Sequence, residues 1–141
     1  VNYYLQGLHV GDAPQNQQSI RVLYTGIKNL SAALTYRNYS KFYSDWNVFD
    51  RKDEGDRAES WKVPSFSVVD LNLNYRLPID FNGVTMDVFA HVFNLTDAIY
   101  IQDAVDNSRY NAYGDKTHSA DDAEVFMGLP RNFNAGVKIN F

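Results

Sequence analysis

The stretch that decides the fold is Asn132-Phe133-Asn134-Ala135-Gly136-Val137-Lys138-Ile139-Asn140-Phe141. Phe133, Ala135, Val137, Ile139 and Phe141 are apolar, while Asn132, Asn134, Gly136, Lys138 and Asn140 fill the other parity. That period of two is a strand with one apolar and one polar face. The pattern recurs upstream. Between Phe66 and Leu77, the residues Val69, Leu71, Leu73, Tyr75 and Leu77 oppose Asp70, Asn72, Asn74 and Arg76. Between Val84 and Asn94, the series Val84, Met86, Val88, Ala90 and Val92 opposes Thr85, Asp87, Phe89, His91 and Phe93. From Leu30 to about Tyr43, Leu30, Ala32, Leu34 and Tyr36 alternate with Ser31, Ala33, Thr35 and Arg37. Shorter strands are expected near Tyr3–Leu8 and Ser19–Tyr24, and no window reads better at helical spacing. The chain is predicted to be all-β, an antiparallel up-and-down meander of about six strands.

Proline placement gives the strands a direction. Ala13-Pro14-Gln15, Val63-Pro64-Ser65 and Leu129-Pro130-Arg131 each precede a predicted strand, where a residue without an N–H donor is tolerated. Those strands are expected to end in Tyr24, Tyr75 and Phe141. Two links are short, Thr25–Asn29 and Pro78–Gly83, and three are long, His9–Asn16, Ser44–Trp61 and Leu95–Pro130. Short turns at one end and long polar loops at the other are the plan of an outer-membrane barrel. Strands of about 11 residues suit a tilted crossing of the bilayer. The aromatics Tyr24, Tyr43, Phe66, Tyr75 and Phe141 lie near strand ends, where interfacial girdles form. Alternation alone fits a soluble β-sandwich equally well. The opposite faces carry Asp70, Asn72, Asn74, Arg76, Asp87, Asn134 and Lys138, groups that a wet barrel lumen accommodates.

Composition narrows the function. The 141 residues suffice for one domain and are 45% hydrophobic and 15% aromatic, too apolar for a disordered segment. Thirteen Lys and Arg against 17 Asp and Glu leave a net charge of −4, which excludes a nucleic-acid binder working through a basic face. Without cysteine there is no disulfide framework, thiolate metal site or thiol nucleophile. No apolar run is long enough for a transmembrane helix, a test to which alternating strands are blind. The chain opens Val1-Asn2-Tyr3-Tyr4, without an initiator Met or a signal sequence, and is expected to be a piece of something longer.

Several segments carry a family likeness. They are Val10-Gly11-Asp12-Ala13-Pro14-Gln15, Tyr43-Ser44-Asp45-Trp46, and Trp61-Lys62-Val63-Pro64-Ser65-Phe66-Ser67-Val68-Val69-Asp70. Then come Val92-Phe93-Asn94-Leu95-Thr96-Asp97, with Tyr100 beyond, and the strand from Pro130 to Phe141. Over nearly its whole length the chain resembles the carboxyl-terminal part of TonB-dependent receptors, outer-membrane transporters of Gram-negative bacteria, in the style of Bacteroidetes members. The resemblance implies residues 1–141 as the last part of a large transmembrane barrel, of the plugged 22-stranded kind. The plug and earlier strands are missing. It implies as partners the rest of the barrel and its plug, the TonB motor complex acting through that plug, and outer-membrane lipid. It further implies that the barrel-assembly machinery reads Asn134, Gly136, Ile139 and Phe141. The whole protein would import a scarce bulky nutrient: an iron chelate, a cofactor or an oligosaccharide. Alone in water, such a segment is expected to aggregate.

No catalytic constellation is visible, and neither an enzymatic role nor a cofactor is expected. His9, His91 and His118 share no metal-ligand spacing. His118-Ser119 near Asp121 has the residue types of a hydrolytic triad but no nucleophile elbow. Asp103, Asp106, Asp115, Asp121, Asp122 and Glu124 offer oxygen ligands without the register of a calcium loop. The run Asp50-Arg51-Lys52-Asp53-Glu54-Gly55-Asp56-Arg57 reads as a mobile exposed loop tip. The candidate substrate vestibule is Tyr43, Trp46, Trp61, Tyr100, Arg109, Tyr110 and Tyr113, aromatic and cationic groups in the long loops. Girdle or loop packing is the competing role for each aromatic. Two rival functions remain. One is a small complete outer-membrane barrel (adhesin or structural), which requires two more strands in Asp97–Val125, a region without sustained alternation. The other is a secreted soluble β-sandwich that binds carbohydrate.

Overall fold

In the computed structural model, which describes residues 1–110 and 117–141, the chain is all-β. The strands are β1 (Asn16–Tyr24), β2 (Leu30–Ser40), β3 (Phe42–Tyr43), β4 (Lys62–Val63), β5 (Phe66–Phe81), β6 (Val84–Phe93), β7 (Ile101–Asp106), β8 (Ala123–Met127) and β9 (Asn132–Asn140). Three sheets result: an open five-stranded one in the order β1-β2-β5-β6-β9, and the pairs β3-β4 and β7-β8. The described strands thus number nine, against the six expected. Five of the six make up the large sheet. The sixth, Tyr3–Leu8, is irregular, because Gly7 turns the chain at φ 91° and Leu8 N bonds back to Leu5 O at 3.2 Å. The end of the expected strand from Leu30 to about Tyr43 separates off as β3, which pairs with β4 on the far side of the Ser44–Trp61 link, while β7 and β8 lie in Leu95–Pro130; the four are two to six residues long, too short to show a period. Two of them occupy the region required by the small-barrel rival, but they pair with each other and not with the large sheet.

The expected short link Pro78–Gly83 is also corrected. Strand β5 runs on to Phe81, and only Asn82 and Gly83 turn the chain. Both have positive φ, 51° and 86°, as a two-residue type I′ hairpin requires. Pro78 is tolerated because the register slips there: from Arg76 to Asp80 β5 takes four steps while β6 takes two, from Asp87 to Thr85.

The chain divides into two compact units. The first comprises Val1–Gln17, Tyr39–Phe66 and Ile99–Gly128, so it is built chiefly from the long links. Its core is Phe42, Val63 and Ala104, with Trp61, Phe66 and Ile101 packed against them. The second comprises Gln18–Asn38, Ser67–Ala98 and Leu129–Phe141, the alternating strands.

In the second unit the register carries each parity across three strands. Rows Leu71–Val92–Phe133, Leu73–Ala90–Ala135 and Tyr75–Val88–Val137 make one face. Rows Asn72–His91–Asn134, Asn74–Phe89–Gly136 and Arg76–Asp87–Lys138 make the other. Directly opposed residues share a face, so the apolar stripe predicted on each strand becomes a continuous surface. That surface remains open. All ten residues of β6 are half-buried, with no alternation of buried and exposed, and Phe133 and Val137 are 81% and 56% exposed.

The segment Asn94-Leu95-Thr96-Asp97 ties this sheet together. Asn94 Nδ2 donates to Ala98 O (2.9 Å) and Leu129 O (3.1 Å), and its Oδ1 accepts from Ala98 N. Asp97 Oδ1 accepts from Arg131 N at 2.9 Å. The end of β6 is thereby pinned to the entry of β9. Asp70, buried on β5, accepts from Asn94 N at 3.0 Å and pairs with Arg37 of β2.

Gly136 has a local reason of its own. A Cβ there would lie 2.6 Å from Cζ of Phe89, whose ring covers the glycine from the opposed strand. Gly136→Ala is expected to cost about 1–3 kcal/mol by overpacking, and adding Phe89→Leu should restore most of it. Denaturant titration of the four combinations checks this; no rescue would mean that the glycine serves something other than the ring.

Candidate functional site

The expected vestibule residues that the structure describes all fall in the first unit, with Tyr113 lying outside the described residues. Several are committed to packing. Tyr100 stacks on Phe66 (centroids 4.5 Å apart) and lies so close over Gly128 that a Cβ there would come within 2.1 Å of its ring. Trp61 packs against the Phe42–Val63–Ala104 core. Tyr43 stacks on His9 at 4.4 Å with the planes 7° apart. These contacts are the loop-packing role set beside the vestibule role above.

Trp46 and Arg109 are brought together. They line one hollow with Asn47, Asp50, Arg51, Asp56, Asp106 and His118. Trp46 is fixed by its indole N–H donating to His9 O at 3.0 Å. Arg109 pairs with Asp50 at 3.0 Å and lies over the exposed ring of Tyr110, 4.4 Å from its centroid. The loop turns here because Asn47 caps a short 3-10 turn, Val48–Asp50, accepting from Phe49 N at 2.9 Å.

Four of the lining residues, Arg51, Asp56, Asp106 and His118, form a group that sequence pattern does not disclose. Arg51 is 1% exposed and His118 is 7% exposed, so the run from Asp50 to Arg57 is not simply an exposed tip. Arg51 Nη1 reaches Asp56 Oδ1 (3.1 Å) and Ala58 O (2.9 Å), and Nη2 lies 3.7 Å from Asp106 Oδ2. His118 Nε2 is 2.8 Å from Asp56 Oδ1, and its Nδ1 bonds Asp106 Oδ2. Burial pushes the Asp106 carboxyl up, yet the hydroxyl and amide of Ser108 together with His118 outweigh it, and Asp106 titrates below the ordinary carboxylate range. Its stabilising contribution is therefore present above a pH of about 3.9, the unfolded value, and is lost as pH falls through the lowered folded value. His118 also holds a left-handed backbone, φ 50°, a conformation costing roughly 1–2 kcal/mol for a residue with a side chain.

The remaining chemical candidates come apart. Ser108 Oγ bonds Asp106 Oδ1 (2.5 Å) and Ser119 Oγ bonds Thr117, so neither serine is presented to His118, and Asp121 is exposed on a short 3-10 turn. Of the acidic loop residues, Glu124 accepts from Asn107 at 3.2 Å, and Asp115 lies outside the described residues. Asp12 titrates above the ordinary range because it shares a hydrogen bond with Asp103, with added repulsion from that carboxylate, slight burial and Asp45. Among the described residues no three His, Asp or Glu side chains converge as metal ligands.

No protein-family model, curated protein or solved structure matches the chain.

Proposed function

We propose that the chain is the carboxyl-terminal wall of a TonB-dependent outer-membrane receptor, contributing barrel strands and outer loops and no catalysis. The observation that carries this reading is the apolar surface kept in register over β5, β6 and β9 and left open. In water an open surface of that kind is an aggregation hazard, and in a bilayer it is where lipid belongs. The other face bears Asn72, Asn74, Arg76, Asp87, Asn134 and Lys138, suited to a wet lumen. Strand number supports a longer wall. In an antiparallel sheet of five, β1 and β9 run the same way, so an even-stranded barrel closes only with an odd number of further strands; 22 requires about 17. On this reading the plug and motor lie elsewhere in the parent protein. The long links of the first unit face outside, where the nutrient arrives, and assembly proceeds through Asn134, Gly136, Ile139 and Phe141.

The test is an antibody against Asn134–Phe141 applied to fractionated cells. A band several times heavier than 16.1 kDa in the outer membrane is expected. A band in the soluble fraction would overturn the membrane reading, and one at the chain's own mass in that membrane would transfer it to a small barrel.

A further inference from the structure

We propose that the first unit binds a neutral oligosaccharide in a hollow where Trp46 and Phe49 offer stacking surfaces and Asn47, Asp50 and Asn107 meet the hydroxyls. This second hollow, of about 590 Å³, shares Trp46, Asn47, Asp50 and Arg109 with the one described above and adds Phe49 and Asn107. Its size lies within the ~300–1,000 Å³ of small-molecule sites. Both rings present hydrocarbon. The Trp46 indole N–H is spent on His9 O, and Phe49 is 63% exposed with no polar atom to satisfy. Such rings leave apolar surface that the C–H face of a sugar can cover. The polar atoms offer both halves of a hydrogen bond. Asn47 uses its Oδ1 to cap the turn, which leaves Nδ2 to donate, whereas Asn107 uses its Nδ2 on Glu124, which leaves Oδ1 to accept. Asp50 engages Arg109 through Oδ2, so its Oδ1 accepts as well. A hydroxyl both donates and accepts, and a row of sugar hydroxyls suits a wall that holds both kinds of partner.

Charge and backbone disfavour other ligand classes. Asp45, Asp50 and Asp106 line this hollow against Arg109, a balance that repels an anionic chelate. A cationic ligand would meet Trp46 with the Arg51 guanidinium already 5.4 Å from its ring centroid. A peptide that binds by adding a strand needs an open ladder. Strand β7 has none to offer at this wall: it pairs with β8 on one side, and on the other Asp45 N donates to Ala104 O and Asp106 N to Asp45 O, both at 2.7 Å. The proposal names the nutrient of the receptor proposed above, and it rests on that reading for import but not for binding.

The experiment is isothermal titration calorimetry of the parent protein, purified from the cell fraction that holds it. The probes are short neutral oligosaccharides of glucan, mannan, galactan and xylan, a ferric tris-catecholate and cyanocobalamin. Saturable binding of at least one oligosaccharide is expected. Phe49→Ala should weaken it about tenfold or more, and Asn47→Asp by a similar factor. The aspartate still caps the Val48–Asp50 turn, so its loss of binding reads the missing Nδ2 donor and not a lost fold. Val10→Ser, exposed and outside the hollow, should bind like the wild type. No binding across the oligosaccharides, an unchanged affinity in either hollow variant, or loss of catecholate or cobalamin binding in them would each overturn the proposal. Its failure is distinct from that of the receptor reading. A soluble protein that binds sugar through these residues keeps the site and loses the receptor, whereas an outer-membrane protein whose sugar binding ignores them does the reverse.

Discussion

Arg51→Met is expected to destabilise the first unit by about 3–5 kcal/mol, the usual cost of removing one partner from a buried charged group. Arg51 is a fully buried cation, and without it Asp56 and Asp106 share only His118. The methionine fills much of the volume but supplies none of the donors, and the donation to Ala58 O is lost as well. Hydrogen exchange reads the effect at the amides of Ser44, Asp45 and Asp106, which donate to Trp61 O, Ala104 O and Asp45 O at 2.7–2.8 Å. Their protection should fall by about two to four orders of magnitude, at 1.4 kcal/mol per tenfold. Lys52→Met, at the exposed neighbour, should stay within about 0.5 kcal/mol. Adding Asp56→Asn and Asp106→Asn to Arg51→Met should recover part of the loss, because a group without charges leaves none uncompensated. If Arg51→Met leaves the three amides protected, the buried charges are not what holds these links together.

The two units differ in how far they could be read from residues alone. Strands β5, β6 and β9 are legible because each spans several periods of alternation, and Pro64 and Pro130 mark strand entries by local chemistry. The end of β5 was misread because Pro78 looks like a terminator; it sits inside the strand only because the β5–β6 register slips around it, a cross-strand fact with no local trace. The first unit is held by contacts between distant segments. Arg51 and His118 are 67 positions apart, and the acidic and basic run around Arg51 has the composition of a solvated tip. Burial of a charge depends on what folds over it, and neighbouring residues in sequence do not report that. Residue type does not distinguish the surroundings of the aromatic loop residues either: Tyr100 is sandwiched between Phe66 and Gly128, whereas Trp46 lines a hollow.

Three substitutions on two adjacent residues of β6 separate a lipid-facing wall from a packed core. Ala90 lies between Leu73 and Ala135 on the apolar face, and His91 lies between Asn72 and Asn134 on the other. Ala90→Arg is expected to destabilise the folded protein in membranes by about 2–4 kcal/mol, the cost of a cation on the lipid face near mid-bilayer. If the other face meets a wet lumen, as the proposed wall requires, His91→Arg should stay within about 0.5 kcal/mol. The arginine alone does not decide the matter, since a buried soluble core rejects it too. Ala90→Phe does decide it. Lipid chains rearrange around an added ring, so a wall facing the bilayer should accept it without loss, whereas a close-packed sandwich core would lose about 1–3 kcal/mol to overpacking. Folding yield of the parent protein into lipid vesicles, followed in urea, measures all three. Tolerance of Phe with rejection of Arg at Ala90 is the outcome a barrel wall requires. Rejection of both would place that face against protein, and the apolar surface of β5, β6 and β9 would then belong to a packed interface.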